Sequence, residues 1–210
     1  MKKVTILLFL LSSAIAMGTP TINVADGPGN GPGGSFLITV ASEGWLGNPV
    51  GSTFYTFCIE KDEFISTPPS GPYDVVINTQ AELGGVNTNS GDPLSPLTAW
   101  LYTSYVNGTL AGWTNSDADN DALQKAIWYI EEEITTLPAG QATNWYNDAV
   151  AAGWTSIKNV RVMNLYSKGH AGESGYEKQD MLTIIPAPGA LLLGSLGMGL
   201  VGWLRRRQAV

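Results

Sequence analysis

The chain has 210 residues, with 18 acidic and 11 basic side chains for a net charge of −7, one cysteine and one histidine. So few histidines and cysteines argue against a zinc cluster or a histidine-based triad, and a lone cysteine rules out an intramolecular disulfide. Seven tryptophans and an apolar fraction of 44% are incompatible with a disordered chain.

The N-terminus opens with Met1-Lys2-Lys3, an apolar run over residues 4–11 and the small-x-small sequence Ala14-Ile15-Ala16. This is the pattern of a signal peptide spanning residues 1–16 and cut after Ala16; the apolar run is too short for a transmembrane helix. Residues 17–34 read as a Gly/Pro-rich leader, since Gly27-Pro28-Gly29-Asn30-Gly31-Pro32-Gly33-Gly34 holds no packed element. Residues 35–41 and 52–60 are rich in β-branched and aromatic side chains and predict strands. A Pro/Ser/Gly loop follows over 64–72, then a strand over 73–78 and a polar Gly/Asn turn region over 84–93.

The period then changes. Ser95-Pro96 opens a predicted helix that carries Leu97, Trp100, Leu101 and Tyr105 at helical spacing. A second helix is expected from Asp121, with Leu123, Ile127, Ile130 and Ile134 along one face and Leu137-Pro138 as its end. A third spans 141–152 and stops at Gly153, and period two returns over 159–166 and 178–185. Strands, helices and strands again predict an α+β domain over residues 35–185. Its expected form is a mostly antiparallel β-sandwich or barrel with a helical insertion.

Residues 186–210 are the last unit. Pro186-Ala187-Pro188-Gly189 precedes a stretch without charge to Leu204, followed by Arg205-Arg206-Arg207. At 1.5 Å per residue, residues 187–204 form a helix just under the ~30 Å of a bilayer's hydrocarbon core. Three arginines suit its cytoplasmic end. A buried C-terminal helix of a soluble domain is the alternative. The three-part order resembles the sorting tail of bacterial PEP-CTERM surface proteins, with Ala187 where the family usually has Glu. The resemblance implies an exosortase-type processing enzyme as partner. It also implies transient membrane anchoring through the C-terminal helix, and delivery to the cell surface or extracellular polymer.

Removing 1–16 and 186–210 leaves 169 residues with 6 basic against 18 acidic side chains, a net charge of −12. Such an acidic domain argues against nucleic acid as a partner.

In an exported protein the unpaired Cys58 needs a reason. It stands in Tyr55-Thr56-Phe57-Cys58-Ile59-Glu60, and downstream lies Leu123-Gln124-Lys125-Ala126-Ile127-Trp128. The two segments, in this order, resemble the thioester domains of bacterial surface adhesins, with Leu123 where that family often has Thr. The resemblance implies a bond between the Cys58 thiol and the Gln124 acyl group that reacts with an amine of a partner protein or polysaccharide. Tyr55, Phe57, Trp128 and Tyr129 are candidates for shielding it from water, and a helix N-terminus near Gln124 would polarise its carbonyl. Alternatively, Cys58 is a buried small hydrophobe or half of an intermolecular disulfide, lipidation being poorly placed so far from the signal cleavage site, and Gln124, three residues after Asp121, reaches back in a capping box.

Weaker signals are read as structural. Asp117, Asp119 and Asp121 alternate as in a calcium loop, but Ala122 and Trp128 stand where an EF-hand needs Gly and Glu, which leaves an acidic helix entry. Glu131-Glu132-Glu133 reads as a solvated helix face and His170 as a loop residue. Trp45, Trp113, Trp145 and Trp154 read as core residues rather than sugar-stacking surfaces. No cofactor is implied, and no phosphate loop or dinucleotide fingerprint occurs. A hydrolase built on Glu60, Asp62 and Glu63 has little support, since adjacent acids at a strand end read as solvated and no base, nucleophile and orienting group can be named together. The sequence thus predicts a non-enzymatic surface adhesin or interaction module. Its alternative is a non-covalent structural or glycan-binding matrix protein with an inert cysteine.

Overall fold

A computed structural model describes residues 19–30, 33–42, 48–66, 70–83 and 91–185. The expected signal peptide, Trp45 and the sorting tail lie outside the described residues. Among those described, no helix is long and apolar enough to cross a membrane.

The chain is an α+β fold with a mostly antiparallel sheet and three helices. In order it forms β1 (Thr21–Asp26), β2 (Phe36–Val40), β3 (Thr53–Thr56), β4 (Ser70–Asn78), β5 (Gln80–Ala81) and β6 (Asp92–Pro93). Helices α1 (Pro96–Val106), α2 (Asp117–Ile130) and α3 (Gln141–Ala152) follow, then β7 (Val160–Tyr166) and β8 (Glu177–Ile184). Six strands make one sheet in the order β3-β2-β1-β4-β7-β8, and β5 pairs with β6 separately. The sequence reading left β1 in the leader. In the fold it is a central strand, paired to β2 and β4, with Ile22 and Val24 fully buried. Its alternation is only six residues long and sits beside a glycine-rich run, which masks the signal.

The first and last strands of the sheet meet. Leu182 N–H donates to Phe57 O at 3.0 Å, Ile59 N–H to Asp180 O at 3.1 Å, and Cys58 bridges Met181. The Thr56 hydroxyl adds a bond to Leu182 O at 2.6 Å. The sheet therefore curls until its two ends touch at residues 56–59 and 180–182, which covers part of its edge.

Period-two alternation divides the core. Ile22, Val24, Ile38, Val40, Cys58, Val75, Met163, Leu165 and Met181 form one cluster, which Trp128 of α2 joins. Their strand neighbours Phe57, Ile59, Val160, Val162 and Leu182 face the other way, against Leu101, Leu123, Ile127 and Trp145 of the helices. Rings run from sheet to helices through Phe57–Tyr105 (5.1 Å), Tyr105–Trp113 (4.9 Å) and Trp113–Trp145 (5.7 Å). Trp145 is wholly buried and donates its Nε1–H to Ala111 O at 2.7 Å.

Helix α2 starts four residues before the expected Asp121. Its N-cap is Ser116, whose hydroxyl accepts from Asp119 N–H, and it ends at Ile130, before the expected Leu137-Pro138. Helix α1 begins as expected, with Ser95 as N-cap and Pro96 in the first turn. Gly153 closes α3 in the left-handed region (φ 62°), where a Cβ would be strained.

Candidate functional site

In an antiparallel strand, successive residues direct their N–H and C=O groups to alternate sides. Strand β8 takes Phe57 O and Ile59 N–H, so Cys58 N–H and C=O point the other way, where no strand follows. The Gln124 carboxamide, projecting from the second turn of α2, fills that place. Cys58 N–H donates to Gln124 Oε1 at 3.2 Å, and Gln124 Nε2 donates to Cys58 O at 2.7 Å. The Cys58 Sγ lies 3.4 Å from the same Oε1. Cys58 is 1% exposed and Gln124 fully buried. Two segments 66 residues apart are thus joined at the two side chains that the sequence paired.

Trp128 lies one helical turn beyond Gln124 on the same face of α2. Its indole Nε1–H is buried without an oxygen or nitrogen partner and lies near enough to Cys58 to favour a charged sulfur. Burial is the stronger influence and pushes the thiol well above its ordinary range, with the negative charges of Glu60 and Glu133 adding to it. The cysteine therefore rests as a thiol, its sulfur in hydrogen-bonding range of the amide oxygen.

A cavity of about 500 Å³ opens on this pair. Phe36, Ile65 and Trp128 supply apolar wall, and the backbone of Gly27, Gly29 and Gly34 supplies another side. Nothing in the sequence reading pointed to the glycine run as part of a site.

Three of the four shielding candidates are placed elsewhere. Phe57 is one residue from Cys58 and so faces the opposite core. Tyr55 is 39% exposed and lines a separate surface hollow with Tyr102 and Val106. Tyr129 stands edge-on to Tyr146 at 5.3 Å, beside another hollow. The proposed polarisation by a helix N-terminus also fails. Gln124 lies beyond the four unpaired N–H groups of α2, whose N-cap is Ser116, so neither that effect nor a capping box with Asp121 operates. The donor to its carbonyl is Cys58 N–H instead.

The acid ladder divides into three separate tasks. Asp119 Oδ2 accepts from Thr114 N–H at 2.7 Å and from its hydroxyl. Asp117 Oδ1 accepts from Gly29 N–H at 3.0 Å, and Asp121 Oδ1 from Asn30 N–H at 2.8 Å. Two of the three thus fasten the glycine run to α2. Among the described residues no group of three or more His, Cys, Asp or Glu side chains could hold a metal ion. His170 lies in the β7–β8 connection, stacked on Tyr176 at 3.6 Å.

The strand-end acids are not all solvated. Glu60 is 1% exposed and accepts from Leu83 N–H (3.0 Å) and Asp180 N–H (3.2 Å). Burial, then the charge of Asp180, holds its carboxyl far above the usual range, while Asp62 is exposed in an ion pair with Lys61. Asp180 is itself buried and raised, and accepts from Glu82 N–H, Asn164 Nδ2 and Leu165 N–H where the β7–β8 register shifts. Glu131, expected on a solvated face, is 5% exposed and accepts from Ser95 N–H at 3.3 Å, at the start of α1.

Burial pushes the Glu131 carboxyl up to about 8. An unfolded glutamate titrates near ~4.3, so between these values the fold keeps a proton that the unfolded chain releases. Stability therefore falls as pH rises from about 4.3 to about 8, and Glu60 and Asp180 act in the same direction. Thermal unfolding of Glu131→Gln should show a shallower decline over this window. At pH 8 its Tm should exceed wild type by a few degrees, since about 1 kcal/mol moves Tm roughly 2–4 °C at this size.

Comparison with protein-family models, curated proteins and solved structures finds no match for this chain.

Proposed function

We propose that this is an exported, surface-sorted, non-enzymatic protein whose Cys58 and Gln124 form an internal thioester that acylates an amine of a partner. The observation that carries the reading is the reciprocal pairing of the two residues, with Sγ 3.4 Å from the carboxamide oxygen and a cavity at their side. In the bond-forming step sulfur attacks the Gln124 acyl carbon, the C–N bond breaks, and the thiol proton leaves with the nitrogen as ammonia. Cys58 N–H already holds the oxygen on which negative charge develops, and fixed placement supplies effective molarities of about 10⁵ M or more. The near-complete burial of both residues limits the access of water to the product.

The export reading rests on the signal-like start and the Pro-x-Pro, apolar and arginine order of the tail. It includes processing by an exosortase-type enzyme, transient anchoring by residues 187–204 and release to the surface or extracellular matrix.

One observation favours a second reading, a non-covalent structural or glycan-binding matrix protein. The Gln124 carboxamide already completes the backbone bonding of Cys58, which is a sufficient structural task for both residues. Methylamine separates the two. The thioester reading predicts one methylamide at Gln124 and one newly titratable thiol at Cys58 per molecule. An unlabelled protein with the thiol present from the start supports the inert cysteine.

A further inference from the structure

The cavity beside Cys58 and Gln124 has one wall without side chains, and its position suggests a task beyond the reactive pair itself. Residues 27–30 and 33–35 run side by side as two arms. Gly27 N–H donates to Ser35 O and Ser35 N–H to Pro28 O, both at 2.9 Å. The arms touch backbone to backbone: a Cβ on Gly29 would come within 2.4 Å of Gly34 Cα, and one on Gly34 within 2.8 Å of Pro28 O. A wall packed this closely cannot yield locally. It is fastened to α2, the helix that carries Gln124, through Asp117 to Gly29 N–H and Asp121 to Asn30 N–H.

Facing this wall are Phe36, Ile65 and Trp128. Cys58 and Gln124 expose 1% and 0% of their surface, so an acceptor reaches the acyl carbon only with a thin arm, past Asp26, Ser35 and Gln179 as well as the apolar side chains. Charge selects in the same sense. Asp26 stands at the wall, and the one lysine lining the cavity, Lys61, is paired with Asp62 at 3.0 Å. An approaching ammonium is favoured over an anionic group.

On the thioester reading proposed above, we infer that the glycine wall, held by Asp117 and Asp121, is the specificity-determining element of the acceptor site and admits unbranched primary alkylamines while excluding branched ones. The nitrogen attacks the Gln124 acyl carbon, the C–S bond breaks, and the proton lost by nitrogen goes to the departing Cys58 sulfur. Burial raises the affinity of that sulfur for a proton, and the Trp128 indole N–H faces the charge it carries in passing.

The test compares n-pentylamine with neopentylamine, which have the same carbon count and near-equal basicity, by intact mass of the purified protein over time. A small free thioester measures their intrinsic difference. After that correction wild type should prefer n-pentylamine by at least about tenfold, since pockets reject a single misplaced methylene by roughly 10–200-fold. The double variant Asp117→Ala/Asp121→Ala should lose most of this preference through faster neopentylamine labelling. Gly29→Ala, which forces the arms apart, should do the same if the double variant fails to fold. A thioester-sized mass deficit without discrimination in wild type overturns this inference and leaves the thioester standing, as does discrimination unchanged in both variants. Absence of the deficit in wild type overturns both.

Discussion

Cys58→Ala should take up no methylamine, whereas wild type is expected to take up one per molecule. The loss is complete because no other cysteine exists to carry the acyl group. It is also separable from unfolding. The bonds from Gln124 to Cys58 N–H and C=O involve backbone on the cysteine side and survive the substitution. Removing one buried sulfur costs on the order of 1 kcal/mol. Gln124→Glu is equally unlabelled, since a carboxylic acid has no ammonia to release. Gln124→Ala behaves differently from both. It strands a buried N–H and a buried C=O at about 1–3 kcal/mol each, so its loss of labelling comes with a lower Tm. Labelling and Tm measured on the three variants separate reactive from structural roles, and a labelled Cys58→Ala would remove Cys58 from the chemistry.

The largest loss of stability is expected at Trp145. This side chain is wholly buried between α3 and the first two helices, touches Trp113, and satisfies Ala111 O through Nε1. Trp145→Ala leaves a ring-sized cavity, at about 3–5 kcal/mol, while Ala111 O keeps its second donor, Gln141 Nε2 at 2.9 Å. With roughly 2–4 °C per kcal/mol at this length, Tm falls by on the order of 10 °C. Trp145→Phe keeps most of the packing and loses the hydrogen bond, so it should cost about 1–2 kcal/mol. Thermal unfolding followed by circular dichroism checks both. A near-neutral Trp145→Ala would mean that α3 contributes little to the core, and would revive the surface, sugar-stacking role for this tryptophan.

Much of the frame was legible where a local pattern was long or marked by its ends. The strands over 159–166 and 178–185, α1 with its Ser-Pro start and α3 with its Gly153 stop all fall close to their expected places. The start of α2 was missed because Asp121 looks like a cap. Ser116 five residues earlier does the capping, and the intervening acids read as loop. The Cys58–Gln124 pairing was legible only through motif resemblance; spacing alone says nothing about residues 66 apart. Its shielding was misjudged at Phe57 for an elementary reason, since strand neighbours face opposite ways. Glu60 and Glu131 were misread because a carboxyl beside other acids suggests solvent. Both are in fact inside, accepting from the backbone N–H groups of Leu83 and Ser95. The glycine run was invisible as a site element because its contribution is the absence of side chains. Its place in the cavity lining and its fastening to Asp117 and Asp121 appear only in the fold.

The central claim is a covalent bond between Cys58 and Gln124, and the intact mass of the purified, untreated protein tests it most directly. The thioester predicts a mass one ammonia below that of the processed sequence, restored to the unmodified mass plus one methylamine-for-ammonia exchange after methylamine treatment, with peptide mapping placing the change at Gln124. A full-length mass, with a Cys58 that alkylates once the untreated protein is unfolded in denaturant, contradicts it.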